Sequence, residues 1–159
     1  MKITILCVGK IKEKFYRDAL DEYIKRLGRY ASMNIIELND EKTPEEASPK
    51  ECEAILNKEG GRILDHVPEN SYVFALAIEG QRYTSENFAS KMDGLMNAGN
   101  SHIVFIIGGS LGLSLAVKKR ADALISFSDM TFPHQLMRVI LAEQIYRCFR
   151  IIKHEPYHK

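Results

Sequence analysis

The sequence predicts an α/β domain: a mostly parallel sheet with helices packed on both faces. Three observations predict it. Apolar runs of strand length (Ile3 to Val8, Tyr72 to Ile78, His102 to Ile107, Ala123 to Phe127) lack the polar alternation of a half-solvated sheet. Strands buried on both faces read that way. Segments with helical apolar spacing separate these runs, so the elements alternate. Finally, two strands end in small or backbone-exposing residues, Gly108-Gly109-Ser110-Leu111-Gly112 and Ser128-Asp129-Met130-Thr131-Phe132-Pro133. Open α/β sheets place their ligands at such strand ends.

The elements follow in order. Ile3 to Val8 is a first buried strand. Phe15, Ala19, Leu20, Tyr23, Ile24 and Leu27 share one helical face, and Gly28 sits near that helix's end. Met33 to Leu38 is a second strand. Ser48-Pro49-Lys50-Glu51 combines an N-cap, a proline at the first helical position and Glu at N3, which makes a capping box. That helix runs towards Gly60-Gly61, with a further turn expected over Arg62 to His66. Tyr72 to Ile78 is the third strand. A Thr84/Ser85 cap then starts a helix on which Phe88, Met92, Leu95 and Met96 line up. A strand at His102 to Ile107, a helix near Leu113 to Ala121 and a strand at Ala123 to Phe127 precede the last helix, from Pro133. Asp129 or Thr131 is expected to cap that helix.

One domain covering 1–159 is expected from the 159-residue length. The longest apolar runs are too short to span a bilayer, and the first residues lack a secretory cleavage site. Cys7, Cys52 and Cys148 are odd in number and lie in apolar surroundings, the pattern of reduced thiols in a cytoplasmic protein. None pairs with a histidine at metal-ligand spacing, so no metal is expected.

The net charge of +1 excludes a strongly basic nucleic-acid binder. Its distribution is uneven. Residues 37–59 hold eight acidic and three basic side chains, whereas 118–159 hold eight basic and four acidic. A basic face for an anionic partner is compatible with this, as are two solvated helices of different charge. The final helix is apolar almost all round, from Leu136 to Ile152, and must be buried on more than one side. The sheet covers one side; a second copy of the chain is expected on the other.

The glycine turn after the fourth strand is open to several readings. It does not close with Gly-Lys-Ser/Thr and does not fit dinucleotide spacing. It matches the Gly-x-Ser-x-Gly elbow of hydrolases, and the order Ser110, Asp129, then His134, His154 or His158 suits a triad. It is also a turn whose glycines let a ligand approach the backbone, or a plain connection. In the second loop, Phe127, Met130 and Phe132 offer an apolar wall beside free backbone groups, suited to a flat heteroaromatic ligand such as adenine.

Gly108-Gly-Ser-Leu-Gly-Leu113, Thr131-Phe-Pro-His-Gln-Leu136, Glu143-Gln-Ile-Tyr-Arg147 and the closing Pro156-Tyr157-His158-Lys159 resemble the SPOUT methyltransferase superfamily. Within it, they resemble the ribosomal large-subunit pseudouridine N3-methyltransferase H family, over essentially the whole chain. That resemblance implies a C-terminal trefoil knot, a homodimer and bound S-adenosylmethionine. It places the cofactor contacts on Leu76, Gly108, Phe127, Ser128, Asp129, Met130, Thr131 and Phe132. The activity implied is methylation of N3 of a pseudouridine in large-subunit ribosomal RNA, within an assembled ribosomal particle. His158 is then the expected base, since its ordinary pKa suits the task, and Tyr157 the residue that stacks on or orients the acceptor. Arg138, Arg147, Arg150 and Lys159 are expected to hold phosphates. A serine hydrolase and a non-catalytic RNA-binding module are the alternatives.

Overall fold

The computed structural model describes residues 1–159. Its elements are β1 (Lys2–Val8), α1 (Lys14–Leu27), β2 (Ser32–Leu38), α2 (Pro49–Asp65), β3 (Tyr72–Arg82), α3 (Ser85–Asn97), β4 (His102–Ile107), α4 (Leu115–Arg120), β5 (Ala123–Ser126) and α5 (His134–Ile152). The strands form one sheet in the order β2-β1-β4-β3-β5, and every pairing is parallel.

Alternation along each strand sorts side chains to two faces. Ile3, Ile5 and Cys7 of β1, Phe74 of β3 and Ile103, Phe105 and Ile107 of β4 point to one side. There α1, α3 and α5 close over them, with Leu20, Leu27, Met92, Leu141, Ile145 and Phe149. Leu6, Val8, Val73, Ala75, Val104 and Ile106 point to the other side, under Ile63 of α2 and Val117 of α4. Both faces are covered, as the unbroken apolar runs require.

The capping box at Ser48 is present: the Glu51 amide donates to the Ser48 hydroxyl, and the Ser48 amide donates to the Glu51 carboxylate. The α2 helix passes through Gly60-Gly61 without a break, because Gly60 is where it meets the segment after β4. A Cβ there would lie 2.3 Å from the Ser114 hydroxyl oxygen.

Two expectations need correction. β3 does not stop at Ile78. It loops out over residues 77–80 and pairs again through Gln81 and Arg82, so that Ile125 faces both Leu76 and Gln81. Gly80 permits this, since a Cβ would lie 2.6 Å from the backbone of Ile125. Nor do Asp129 or Thr131 cap the last helix. Pro133 occupies that position with no side-chain cap, and Asp129 instead pairs with Arg82.

Candidate active site

Strand order decides where the site lies. β4, β3 and β5 are neighbours, and the segments leaving their carboxyl ends enclose a cleft of about 370 Å³. The volume falls in the range of small-molecule sites, about 300–1,000 Å³. Leu76 to Glu79 form one wall, Ile107 to Leu113 the second and Ile125 to Ser128 with Met130 to Phe132 the third; His134 and Met137 of α5 also line it. Of the cofactor residues expected from sequence, Leu76, Gly108, Phe127, Ser128, Met130, Thr131 and Phe132 meet here. Asp129 does not line the cleft; it belongs to the same loop and turns to Arg82.

The glycine turn is held closely from behind. A Cβ on Gly108 would lie 2.4 Å from the carbonyl oxygen of Gly112, and one on Gly109 would lie 2.9 Å from Glu59 Oε2. Glu59, 3% exposed, accepts from the Glu41 amide through Oε1, whereas Oε2 has no partner. Burial pushes its carboxyl pKa up. The residue thus ties the acidic segment before α2 to the turn, and a 3.2 Å contact between the hydroxyls of Thr43 and Ser110 adds a second tie. Sequence reading missed Glu59, because a glutamate in a mid-helix position looks like any solvated one.

The lips of the cleft are apolar and open: Ile78 is 55% and Met130 75% exposed. Lys118 and Glu79 pair beside them. Burial, with Arg138 nearby, lowers the pKa of His134, favouring a neutral imidazole in the wall. Close backbone, an aromatic wall and small polar groups suit a flat, partly polar ligand. The residues present therefore fit an adenosyl group, and no group of His, Cys, Asp or Glu is arranged to hold a metal ion.

The C-terminal tail lies elsewhere. Tyr157 donates to Glu143 Oε1 at 3.0 Å, meets the Tyr146 ring edge-on and lies under the Arg147 guanidinium. Burial and the Glu143 carboxylate push its phenol up to about 12, which keeps it a hydrogen-bond donor at neutral pH. His158 sits between Arg147, 3.3 Å from Nδ1, and Glu86, 2.7 Å from Nε2. A guanidinium only donates, so in this arrangement Nδ1 accepts and the proton sits on Nε2. Both ring nitrogens are engaged, and neither tail residue lines the cleft.

The expected phosphate ligands also separate. Arg138 requires correction: it is 1% exposed and donates to the carbonyls of Val8 and Gly9 and to Glu37. It braces the end of β1 and is closed to a phosphate, because the groove between α5 and the sheet edge takes its whole side chain. Arg147 and Arg150 are partly exposed and pair with Glu143 and Glu155. Lys159 is exposed. The triad of a hydrolase is not assembled either. No histidine is bonded to Ser110, whose hydroxyl contacts Thr43, and Asp129 is paired with Arg82.

A parallel sheet with a glycine-turn cleft over three adjacent strand ends defines an α/β enzyme that holds a compact organic ligand. Comparison with known proteins makes the class definite. The family described as "Predicted SPOUT methyltransferase" matches residues 1–158, and the chain belongs to it. It is a methyltransferase, and a methyl-donor cofactor goes with that class. Among its relatives is the ribosomal RNA large subunit methyltransferase H of Bifidobacterium adolescentis, 60% identical over 159 residues that cover all of both chains. Proteins of the same name from Clostridium beijerinckii and Streptococcus thermophilus are 59% and 57% identical, again over the whole of both chains. A solved structure of a probable methylase family protein from Haemophilus influenzae matches 99% of this chain and 70% of its own at a TM-score of 0.56. At 10% identity, that likeness speaks for the fold alone.

Proposed function

We propose that this chain methylates N3 of a pseudouridine in large-subunit ribosomal RNA, using S-adenosylmethionine held in the cleft over β3, β4 and β5. The observation that carries the reading is that cleft, found in a chain whose full-length relatives bear the name ribosomal RNA large subunit methyltransferase H. Leu76, Gly108 and Phe127 to Phe132 would hold the cofactor, the glycine turn with main-chain amides and Phe127 and Phe132 against the adenine. S-adenosylmethionine supplies a methyl already activated by its sulfonium, which departs with the bonding pair as a neutral thioether.

The protein's share is alignment and proton handling. Holding the ring nitrogen in line with the methyl supplies several kcal/mol of the barrier. The N3 proton has to leave as the new N–C bond forms, and His158 is the proposed acceptor. The lone pair it would use is the one on Nδ1, so its imidazole must first turn away from Arg147, which makes tail release part of the cycle. Tyr157, kept protonated beside Glu143, orients the acceptor. Lys159 would contact phosphates directly, and Arg147 and Arg150 would do so once Glu143 and Glu155 are displaced.

The same reading takes residues 1–159 as one domain with a C-terminal trefoil knot, acting in the cytoplasm as a homodimer. Leu136, Val139 and Ile140 of α5 are only partly covered within one chain, and a second copy would cover them. With so small a net charge, an assembled ribosomal particle is a better substrate than a naked stem-loop. Calorimetry with S-adenosylmethionine, followed by mass spectrometry of nucleosides from treated ribosomal particles, tests the proposal. Cofactor binding and a methylated pseudouridine are expected. No binding, or methyl found only on another base, would overturn it.

A further inference from the structure

The loop between β1 and α1, residues 9–13, has its main chain held by three side chains from elsewhere in the fold. Gly9 takes a φ of +86°. Its carbonyl and that of Val8 accept from Arg138 at 2.8 and 3.1 Å. The Ile11 amide donates to Glu37 at 3.3 Å. The amides of Lys12 and Glu13 share one acceptor, Gln135 Oε1, at 2.8 and 3.2 Å. The side chains of Lys10, Lys12 and Glu13 stay exposed, so these braces set where a short row of charges stands.

That place is beside the cleft. All the strands are parallel, so the carboxyl end of β1 lies on the cleft's edge of the sheet, next to β4. Val8, where the loop begins, packs against the glycine turn: its Cγ1 would lie 3.1 Å from a Cβ on Gly109. Gln135 and Arg138 sit in the first turn of α5, whose His134 and Met137 line the cleft. The width of one helix, about 10–12 Å, therefore separates the loop from the ligand. Residues 10–17 hold four basic side chains and one acidic. Lys14 pairs with Asp18 and Arg17 with Glu37, whereas Lys10 and Lys12 have no ion-pair partner. Phe15, in the first turn of α1, is 63% exposed, and its ring is backed by Tyr16 at 4.4 Å between centroids.

We propose that this loop and the start of α1 form a docking platform for the RNA strand flanking the acceptor, with Lys10 and Lys12 on phosphates and Phe15 against a base. The proposal rests on the methylation reading above and gives the RNA a foothold outside the cleft and the tail. Unpaired cations beside an exposed aromatic ring are what hold a single strand: the cations follow its phosphates, and the ring stacks on any base. In a chain of net charge +1, such a local concentration of charge is what gives a polyanion a preferred face. The braced main chain has little freedom left to lose when the strand arrives. It also holds the lysines at a set distance from the methyl donor, within reach of the nucleotides on either side of an acceptor placed in the cleft.

The test is methyl transfer by the full chain to ribosomal particles over a series of salt concentrations. Each phosphate contact on a single strand adds about 0.7 to the slope of log affinity against log salt. Lys10→Gln/Lys12→Gln should therefore flatten the slope for kcat/KM by about 1.4 and lower kcat/KM roughly 25-fold at about 0.1 M salt. The rate on saturating particles and the Kd for S-adenosylmethionine should stay at wild type. Lys50→Gln/Lys58→Gln removes the same charge from α2, on the other face of the sheet, and should change neither quantity. Phe15→Ala should raise KM by roughly 5- to 150-fold, the worth of one stacked base, with the salt slope unchanged. A wild-type slope in the loop variant, or an equal flattening in the α2 variant, overturns the platform. A Phe15→Ala protein of lower mass than wild type would give that ring to a second copy and overturn its stacking role. Failure of the wild-type protein to bind cofactor or transfer methyl would instead count against the underlying function, a separable result.

Discussion

Replacing Gly108 by alanine puts a methyl group where the turn has no room. The new Cβ would lie 2.4 Å from the Gly112 carbonyl oxygen, 2.7 Å from its carbon and 2.9 Å from Leu113 Cδ2. The leucine can rotate; the carbonyl belongs to the backbone of the turn and must move with it. Overpacking of this kind costs about 1–3 kcal/mol. If the turn shifts to relieve the clash, the cost falls on cofactor binding, as a roughly 5- to 100-fold rise in Kd at 1.4 kcal/mol per decade. If the turn holds, the cost falls on folding, as a drop in Tm of roughly 2–12 °C at about 2–4 °C per kcal/mol for a chain of this size. Gly61→Ala is the control. It is exposed in mid-helix with nothing within 4 Å of the added carbon, so it should raise stability by about 0.5–1 kcal/mol and leave binding alone. Scanning calorimetry and titration with S-adenosylmethionine read both quantities. Wild-type Kd and wild-type Tm together in Gly108→Ala would refute the idea that the turn is closely packed cofactor backbone.

Other consequences are as direct. Arg138→Ala leaves the carbonyls of Val8 and Gly9 without their buried donor, while Glu37 keeps Arg17 and the Ile11 amide, a loss of about 1–3 kcal/mol, or roughly 2–12 °C in Tm; a shift below about 1 °C would contradict the bracing role. Burial pushes the thiols of Cys7 and Cys148 up to about 12, so a disulfide reagent at about pH 8 should label only Cys52 in the folded protein, and equal labelling of all three would be a refutation. Glu86 is held at about 2 by its own backbone amide first, then by His158 and Thr84. A depressed carboxylate contributes stability that is present above its ordinary 4.5 and lost as pH falls towards about 2. Docking of the tail should weaken across that window, and His158 ring resonances that stay at their docked positions down to pH 2 would sink the claim. A chain ending after Pro156 should bind cofactor normally and lose methyl transfer; full turnover would clear the tail of any catalytic part.

What the sequence carried was periodicity and local chemistry. Unbroken apolar runs marked the strands, Ser48-Pro49-Lys50-Glu51 marked α2, and the glycines after β4 marked the turn that the structure places in the cleft. What it could not carry was anything set by packing between distant segments. The return of β3 along β5 depends on Gly80 passing the Ile125 backbone, and a polar Glu-Gly-Gln-Arg stretch gives no sign of that. Arg138 reads as a surface cation on a helix, and only the closeness of Val8, Gly9 and Glu37 turns it inward. Glu59 has its place fixed by a neighbour 50 residues away, Gly109, a separation over which spacing says nothing. His158 was singled out for its chemistry, whereas its clamping between Arg147 and Glu86 is a matter of geometry alone.

The late arrival of β5 and α5 bears on how the molecule is made. β5 takes its place outside β3, and α5 closes the sheet face that carries Ile3, Phe74 and Phe105. Before the last two elements are in place, β1 and β4 are already made, and α1 and α3 leave the oily side between them only partly covered. When the final segment settles there it also completes, in the same movement, the walls of the cleft. The enzyme thus gains a guarded interior and its binding site together, and a prematurely terminated copy would have neither.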